Sequence, residues 1–212
     1  MAYENRSQAG KALAKEVKKY ADEDLLILGI PRGGVIVGRA LRDEIGGELG
    51  IIITKKIGFP GNPEYGIGAV AEDGTIVLSD AGKKSRQATD SYLAEESGRQ
   101  KSEIARRMNN YRYVLPEDLS SKTVVVTDDG IATGMTVLAA LKYLRKKRPK
   151  KLVLAVPVAP ADTIQKLKSE ADEVICLLSP LLFYAVGQFY LDFEQVSDEE
   201  VIRALHGDNE YT

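Results

Sequence analysis

Residues 124–136 read Val-Val-Val-Thr-Asp-Asp-Gly-Ile-Ala-Thr-Gly-Met-Thr, and two kinds of chemistry lie side by side in that stretch. Asp128 and Asp129 are adjacent carboxylates at the end of an apolar run, residues 123–127. In an open parallel sheet, ligands lie beyond the carboxyl ends of the strands, so both acids face a site. Thr133 and Gly134 follow, and Met135 and Thr136 open a run with helical spacing. The first N–H groups of a helix have no partner within it and sit at the positive end of its dipole, so they attract an anion. The hydroxyls of Thr133 and Thr136 add donors. A ligand that uses both halves carries vicinal hydroxyls for the acids and a phosphate for the turn, a description that ribose 5-phosphate meets.

A second anion-binding pattern stands earlier in the chain. Pro31, Arg32, Gly33 and Gly34 follow the apolar run 25–30. The glycines let backbone N–H groups approach an anion closely, and Arg32 can grip phosphate oxygens with a two-pronged fork. A helix starts directly afterwards at Val35. Lys56 follows another apolar strand and has the placing of a diphosphate-contacting cation, with Lys55 as the alternative. Residues 58–68 hold four Gly and two Pro together with Phe59 and Tyr65, which predicts a long loop acting as a lid.

The elements that must position these residues follow from the apolar pattern. Strands are expected at 25–30, 49–54, 123–127, 152–158 and 174–178, and helices at 35–45, 135–144, 161–169 and 198–205. Residues 69–71 and 75–78 read as a small hairpin. Residues 83–113 read as a charged helix with a thin apolar stripe of Tyr92, Leu93, Ile104, Met108 and Tyr111, free to dock on the core or on a second subunit. Buried strands alternating with helices predict an α/β fold: three α/β/α layers around a mainly parallel, Rossmann-like sheet. One domain is expected over residues 1–212, its core spanning about 20–180, the lid about 57–70, the helical insertion about 83–113 and a C-terminal hood about 179–195.

Composition narrows the function class. With 29 basic and 31 acidic side chains the chain has a formal charge of −2, which gives no general drive toward nucleic acid or an anionic membrane. Cys176 is alone, so no internal disulfide is expected and a reducing, cytoplasmic compartment fits. Residues 1–20 are polar and Lys-rich, unlike a signal peptide, and no apolar run reaches the ~20 residues of a membrane-spanning helix. A dinucleotide-binding dehydrogenase is disfavoured, because no Gly-x-Gly-x-x-Gly follows the first strand.

Taken together, these motifs resemble the type I phosphoribosyltransferase family over essentially the whole chain. Residues 124–136 look like the family's motif for 5-phosphoribosyl 1-diphosphate (PRPP), residues 31–35 like its diphosphate loop, and Lys56 with residues 58–68 like its second strand and mobile lid. Residues 61–64, Tyr111-Arg112 and 185–187 resemble a bacterial and archaeal subgroup of functionally uncharacterised phosphoribosyltransferases. The resemblance implies displacement of diphosphate from PRPP by a nitrogen acceptor, a nucleobase with purines slightly favoured, in purine salvage or a related branch of nucleotide metabolism. It implies that Ile131, Ala132, Thr133, Gly134, Met135 and Thr136 hold the 5'-phosphate. Arg32, Gly33, Gly34 and Lys56 would hold the diphosphate. Asp128 and Asp129 would take the ribose hydroxyls and, through water, Mg2+; with Arg32 and Lys56 they form the expected catalytic set.

On the acceptor side, residues 183–187 with Asp192 and Phe193 are similar to the base-binding segment of hypoxanthine-guanine enzymes. Phe183 and Tyr184 compete for the stacking role, and Asp192 is the acid near the base edge. One departure matters: those enzymes carry an acid at the position of Ala132, whereas adenine enzymes also have Ala there, so the general base is left undefined, with Glu64 in the lid as a candidate substitute. A homodimer is a further expectation. The alternative of another class is a PRPP- or nucleotide-sensing protein that keeps the pocket without catalysis. His206, in the last helix, is expected on the surface with no catalytic role.

Overall fold

The computed structural model describes residues 2–207. Helix α1 (Arg6–Val17) comes first, with the Asn5 side chain capping its N-terminus by accepting from Gln8 N. It leads to β1 (Leu25–Gly29), α2 (Gly33–Ile45) and β2 (Glu48–Ile51). An antiparallel unit follows: β3 (Thr54–Phe59), β4 (Asn62–Ala71) and β5 (Ile76–Leu78). Helices α3 (Asp80–Lys84) and α4 (Asp90–Asn110) lead back to β6 (Thr123–Thr127), α5 (Met135–Lys146), β7 (Lys151–Val158), α6 (Ala161–Leu167), β8 (Glu173–Leu178) and α7 (Asp198–His206).

The main sheet is wholly parallel in the order β2-β1-β6-β7-β8. Its alternating side chains separate two cores, as a sheet covered on both faces requires. Leu26, Leu28, Val124, Val126, Leu152 and Leu154 pack with Val137, Leu141 and Leu144 of α5. Leu25, Ile27, Val125 and Val153 turn the other way, onto Leu13, Ala14 and Val17 of α1 and Leu41 of α2. The expected three-layer α/β/α architecture is therefore present. Helix α1 is an element that the sequence reading left out, so the packed core begins before residue 20. Leu13 and Val17 are fully buried, each worth about 1.5–3 kcal/mol of apolar burial.

Three expected boundaries change, the first being the helix foreseen at 83–113, which is broken between α3, ending at Lys84, and α4, starting at Asp90. The strand foreseen at 49–54 is divided: β2 ends at Ile51, and Thr54 already belongs to the second sheet. The foreseen loop at 58–68 is an antiparallel hairpin, turning at Gly61 with φ +79. Its glycines serve packing: a Cβ on Gly58 would lie 2.5 Å from Pro63 O, and one on Gly68 2.4 Å from Val77 O. The stripe of Tyr92, Leu93, Ile104, Met108 and Tyr111 packs with Ile57, Ile67 and Val70 of this second sheet, so it no longer argues for a dimer. His206 is half-buried, its Nε2 2.9 Å from Tyr111 O. Among the described residues no helix is long and apolar enough to cross a membrane.

Candidate active site at the switch point of the sheet

From β1 the chain moves outward to β2, and from β6 it moves the opposite way to β7 and β8. The crevice between β1 and β6 is therefore the topological switch point, where open α/β sheets bind ligands. The two loops singled out from sequence leave these two strands and meet there, with Ile30 N donating to Thr127 O at 2.9 Å. Gly34 lies so close that a Cβ would stand 2.8 Å from Asp128 Cα, and a Cβ on Gly33 would fall 1.9 Å from Asp129 Oδ2. Only glycine allows this approach of the 31–34 loop to the acid pair.

The two carboxylates are held differently. Asp128 Oδ1 accepts from Asp129 N at 2.8 Å. Burial, and then the negative charge of Asp129, hold the Asp128 pKa well above the usual carboxylate range. Asp129 Oδ2 accepts from Arg6 Nε at 2.8 Å, an ion pair with side chains only 12% and 15% exposed. Arg6 also donates Nη1 to Glu194 O at 2.8 Å, and its guanidinium lies 3.9 Å above the Phe193 ring. The Tyr190 hydroxyl donates to Asp129 O at 2.5 Å. A side-chain hydrogen bond also joins the two carboxyl groups, so the pair acts as one unit. Sequence reasoning missed Arg6 and Tyr190, and no local pattern marks either.

Beyond the acids, Gly134 takes a left-handed conformation at φ +76 and caps α5 without a side-chain hydrogen bond. The amides of Ala132, Thr133 and Gly134 make no hydrogen bond among the described residues, and the side chain of Thr133 is exposed. The turn is fixed from behind, with Thr163 Oγ1 donating to Ala132 O at 2.9 Å. Met135 and Thr136, half-buried, open the helix. Ile131 requires a correction. Its side chain is 2% exposed in the core and its N–H donates to Val158 O at 2.9 Å, so it anchors the turn and offers nothing to a phosphate.

Arg32 reaches the crevice from the first loop, its Nη1 3.7 Å from Asp198 Oδ1, an oxygen that also accepts from the Tyr111 hydroxyl at 2.7 Å. A pair this long and partly exposed is worth under about 1 kcal/mol, so the guanidinium is not committed to it. Register decides between the two lysines. Lys56 stands opposite Ala69, which packs with Ala139, and half-buried Met135 of α5 joins that cluster; Lys55 stands opposite Val70, on the side of α4. Directly opposed residues share a face, so Lys56 is on the side of α5 and Lys55 is not. Glu64 is exposed on β4, away from any described partner.

The hood wraps the same end of the sheet. A Cβ on Gly130 would lie 2.5 Å from Val186 Cγ1, so the segment sits directly on the turn. Phe183 is half-buried with its ring 5.4 Å from Phe189, whereas Tyr184 is 84% exposed. Asp192 is exposed, its Oδ1 accepting from Glu194 N at 3.2 Å. The ring joined to the acids through Arg6 is Phe193, stacked on Tyr190 at 5.0 Å. Among the described residues, no group of three or more His, Cys, Asp or Glu gathers to hold a metal.

Comparison with known proteins agrees with this geometry. The model of the phosphoribosyl transferase domain matches residues 2–194. A protein named “Putative phosphoribosyl transferase” in two strains of Mycobacterium tuberculosis is 36% identical over 204 residues, 96% of this chain and 46% of the relative. The chain thus spans about half the length of these curated relatives. The crystal structure of TT1426 from Thermus thermophilus is 40% identical, with a TM-score of 0.81 covering 97% of this chain and 98% of that one. With its parallel sheet, paired acids and glycine-rich turns, the chain belongs to the phosphoribosyl transferase domain family.

Proposed function

We propose that the protein is a phosphoribosyltransferase that binds PRPP with Mg2+ and passes the 5-phosphoribosyl group to a nitrogen acceptor, a nucleobase with purines first, releasing diphosphate. The observation that carries this reading is the meeting of two glycine-bearing loops, 31–34 and 130–134, at one pair of adjacent acids. In this reading the free amides of Ala132, Thr133 and Gly134 and the start of α5 hold the 5'-phosphate, and the carboxyl groups of Asp128 and Asp129 take the ribose hydroxyls. Gly33, Gly34, Arg32 and Lys56 receive the diphosphate.

Two adjacent carboxylates fit a magnesium ion carried mainly on substrate oxygens, which keeps several waters and needs few protein ligands. When bound, it neutralises charge on the departing diphosphate. The protein's own share is to fix the sugar, stabilise the leaving group with Arg32 and Lys56, and keep water from the anomeric carbon. The β3–β4 hairpin is the lid in this account. The acceptor rests against the hood, where Phe183, Tyr184, Phe193 and Asp192 are the candidate contacts, and Glu64 is the candidate base. A cytoplasmic place in nucleotide metabolism belongs to the same reading.

The test is release of diphosphate from PRPP and Mg2+ in the presence of a panel of purine, pyrimidine and other nitrogen acceptors. Tight PRPP binding without turnover on any of them would remove the transferase reading. One observation favours the alternative, a PRPP- or nucleotide-sensing protein: Ala132 puts an exposed methyl group where an acid would assist the acceptor.

A further inference from the structure

The hairpin that carries Lys56 has a second face. Its neighbour Lys55 points into a cleft of about 480 Å3 between β3 and α4, lined also by Arg99, Gln100, Ser102, Glu103 and Arg106. Arg99 and Arg106 are seven residues apart on α4, two helical turns, so they stand roughly 10 Å apart along its axis. Each guanidinium is oriented by a fork onto a carboxylate of the preceding turn. Arg99 donates Nε and Nη2 to Glu96 at 2.9 and 2.7 Å. Arg106 donates Nε and Nη2 to Glu103 at 2.8 and 2.9 Å, and Glu103 also accepts from Arg107 Nε at 3.0 Å.

These forks leave the Nη1 groups of Arg99 and Arg106 without a protein acceptor among the described residues. Lys55 is half-buried and its ammonium has neither a hydrogen bond nor an ion pair among the described residues. Burial, and then the charge of Arg107, hold its pKa below the usual lysine value. Glu96 and Glu103, with Asp198 acting on Arg106 from α7, thus answer four cations: Lys55, Arg99, Arg106 and Arg107. Holding a half-buried ammonium beside guanidiniums is unfavourable unless an anion completes the group.

We propose that the cleft between β3 and α4 is a second anion site, which takes a diphosphate-bearing small molecule between Lys55 and the free Nη1 groups of Arg99 and Arg106. Two arginines roughly 10 Å apart along the helix, with Lys55 facing them, suit two linked phosphates better than one tetrahedral phosphate. The site lies on the face of β3 opposite to Lys56 and does not depend on the reading given for Asp128 and Asp129.

Acetylation footprinting of the whole chain, read lysine by lysine by mass spectrometry at constant ionic strength, tests this with inorganic diphosphate as the probe. Diphosphate is expected to protect Lys55, and Arg99→Gln with Arg106→Gln is expected to raise the concentration required by about tenfold, the scale of losing a charge-assisted contact. These arginines are exposed, and an unchanged melting temperature confirms that the variant is folded. Lys56 reports binding on the other face in the same experiment. An unprotected Lys55 in the wild-type chain, or equal protection in the double variant, would overturn the proposal. Equal protection by inorganic phosphate at the same concentration would overturn the diphosphate assignment.

Discussion

Replacing Arg6 by Gln should destabilise the protein far more than its place near the N-terminus suggests. Arg6 and Asp129 form a 2.8 Å ion pair with side chains 12% and 15% exposed, and the guanidinium also holds Glu194 O and covers Phe193. Removing one member of a buried pair leaves an uncompensated charge and costs roughly 3–5 kcal/mol, whereas breaking an exposed pair costs about 0–1 kcal/mol. Urea unfolding of the ligand-free chain should therefore show a stability loss in the upper range for Arg6→Gln. Arg6→Gln combined with Asp129→Asn should lose less than the sum of the single variants, the mark of direct coupling. A loss below about 1 kcal/mol, or strictly additive losses, would refute the claim that Arg6 neutralises Asp129.

Glu72 provides a pH test. Its Oε1 accepts from Ile53 N at 3.2 Å where β2 hands over to β3, and burial pushes its pKa from 4.5 up to about 7. The folded chain binds this proton more tightly than the unfolded one, so the contribution of Glu72 is most favourable below about pH 4.5 and declines as pH rises to about 7. The decline is at most about 3 kcal/mol, and Glu72→Gln, which can still accept from Ile53, should remove that slope and stabilise the chain at pH 8. A slope unchanged in the variant would contradict the assignment. Gly134→Ala places a Cβ 2.8 Å from Thr163 Cγ2 at φ +76, so a loss of at least about 1–2 kcal/mol in thermal unfolding and weaker PRPP binding are expected. Wild-type stability would show that the turn relaxes. Tyr190→Phe removes the hydroxyl from Asp129 O and should cost about 0.5–1.5 kcal/mol, measured by urea unfolding; a neutral effect would mean that another donor replaces it.

What could be read in advance was local in sequence. The strand-acid-acid-turn-helix pattern of residues 124–136 depends on neighbours, and the structure has β6 and α5 at the expected places. Arg6 was invisible because its partner is 123 residues away, and because α1 buries mainly Ala9, Leu13, Ala14 and Val17, a stripe too thin to stand out among lysines. Residues 58–68 misled for a different reason. Glycine signals conformational freedom, yet Gly58 and Gly68 are used here to bring two strands and a neighbouring carbonyl into contact. The choice between Lys55 and Lys56 could not be made from sequence, since alternation assigns opposite faces but only the register with Ala69 and Val70 says which face meets α5.

The most direct test of the central claim is calorimetric titration of PRPP, with Mg2+, into the wild-type chain and into Asp128→Asn and Asp129→Asn. Each substitution replaces a carboxyl oxygen assigned to a ribose hydroxyl with an amide group. Binding should be saturable in the wild type and weakened by about tenfold or more in both variants, as expected when a charge-assisted hydrogen bond is lost. Affinity unchanged in folded Asp128→Asn and Asp129→Asn would contradict the account.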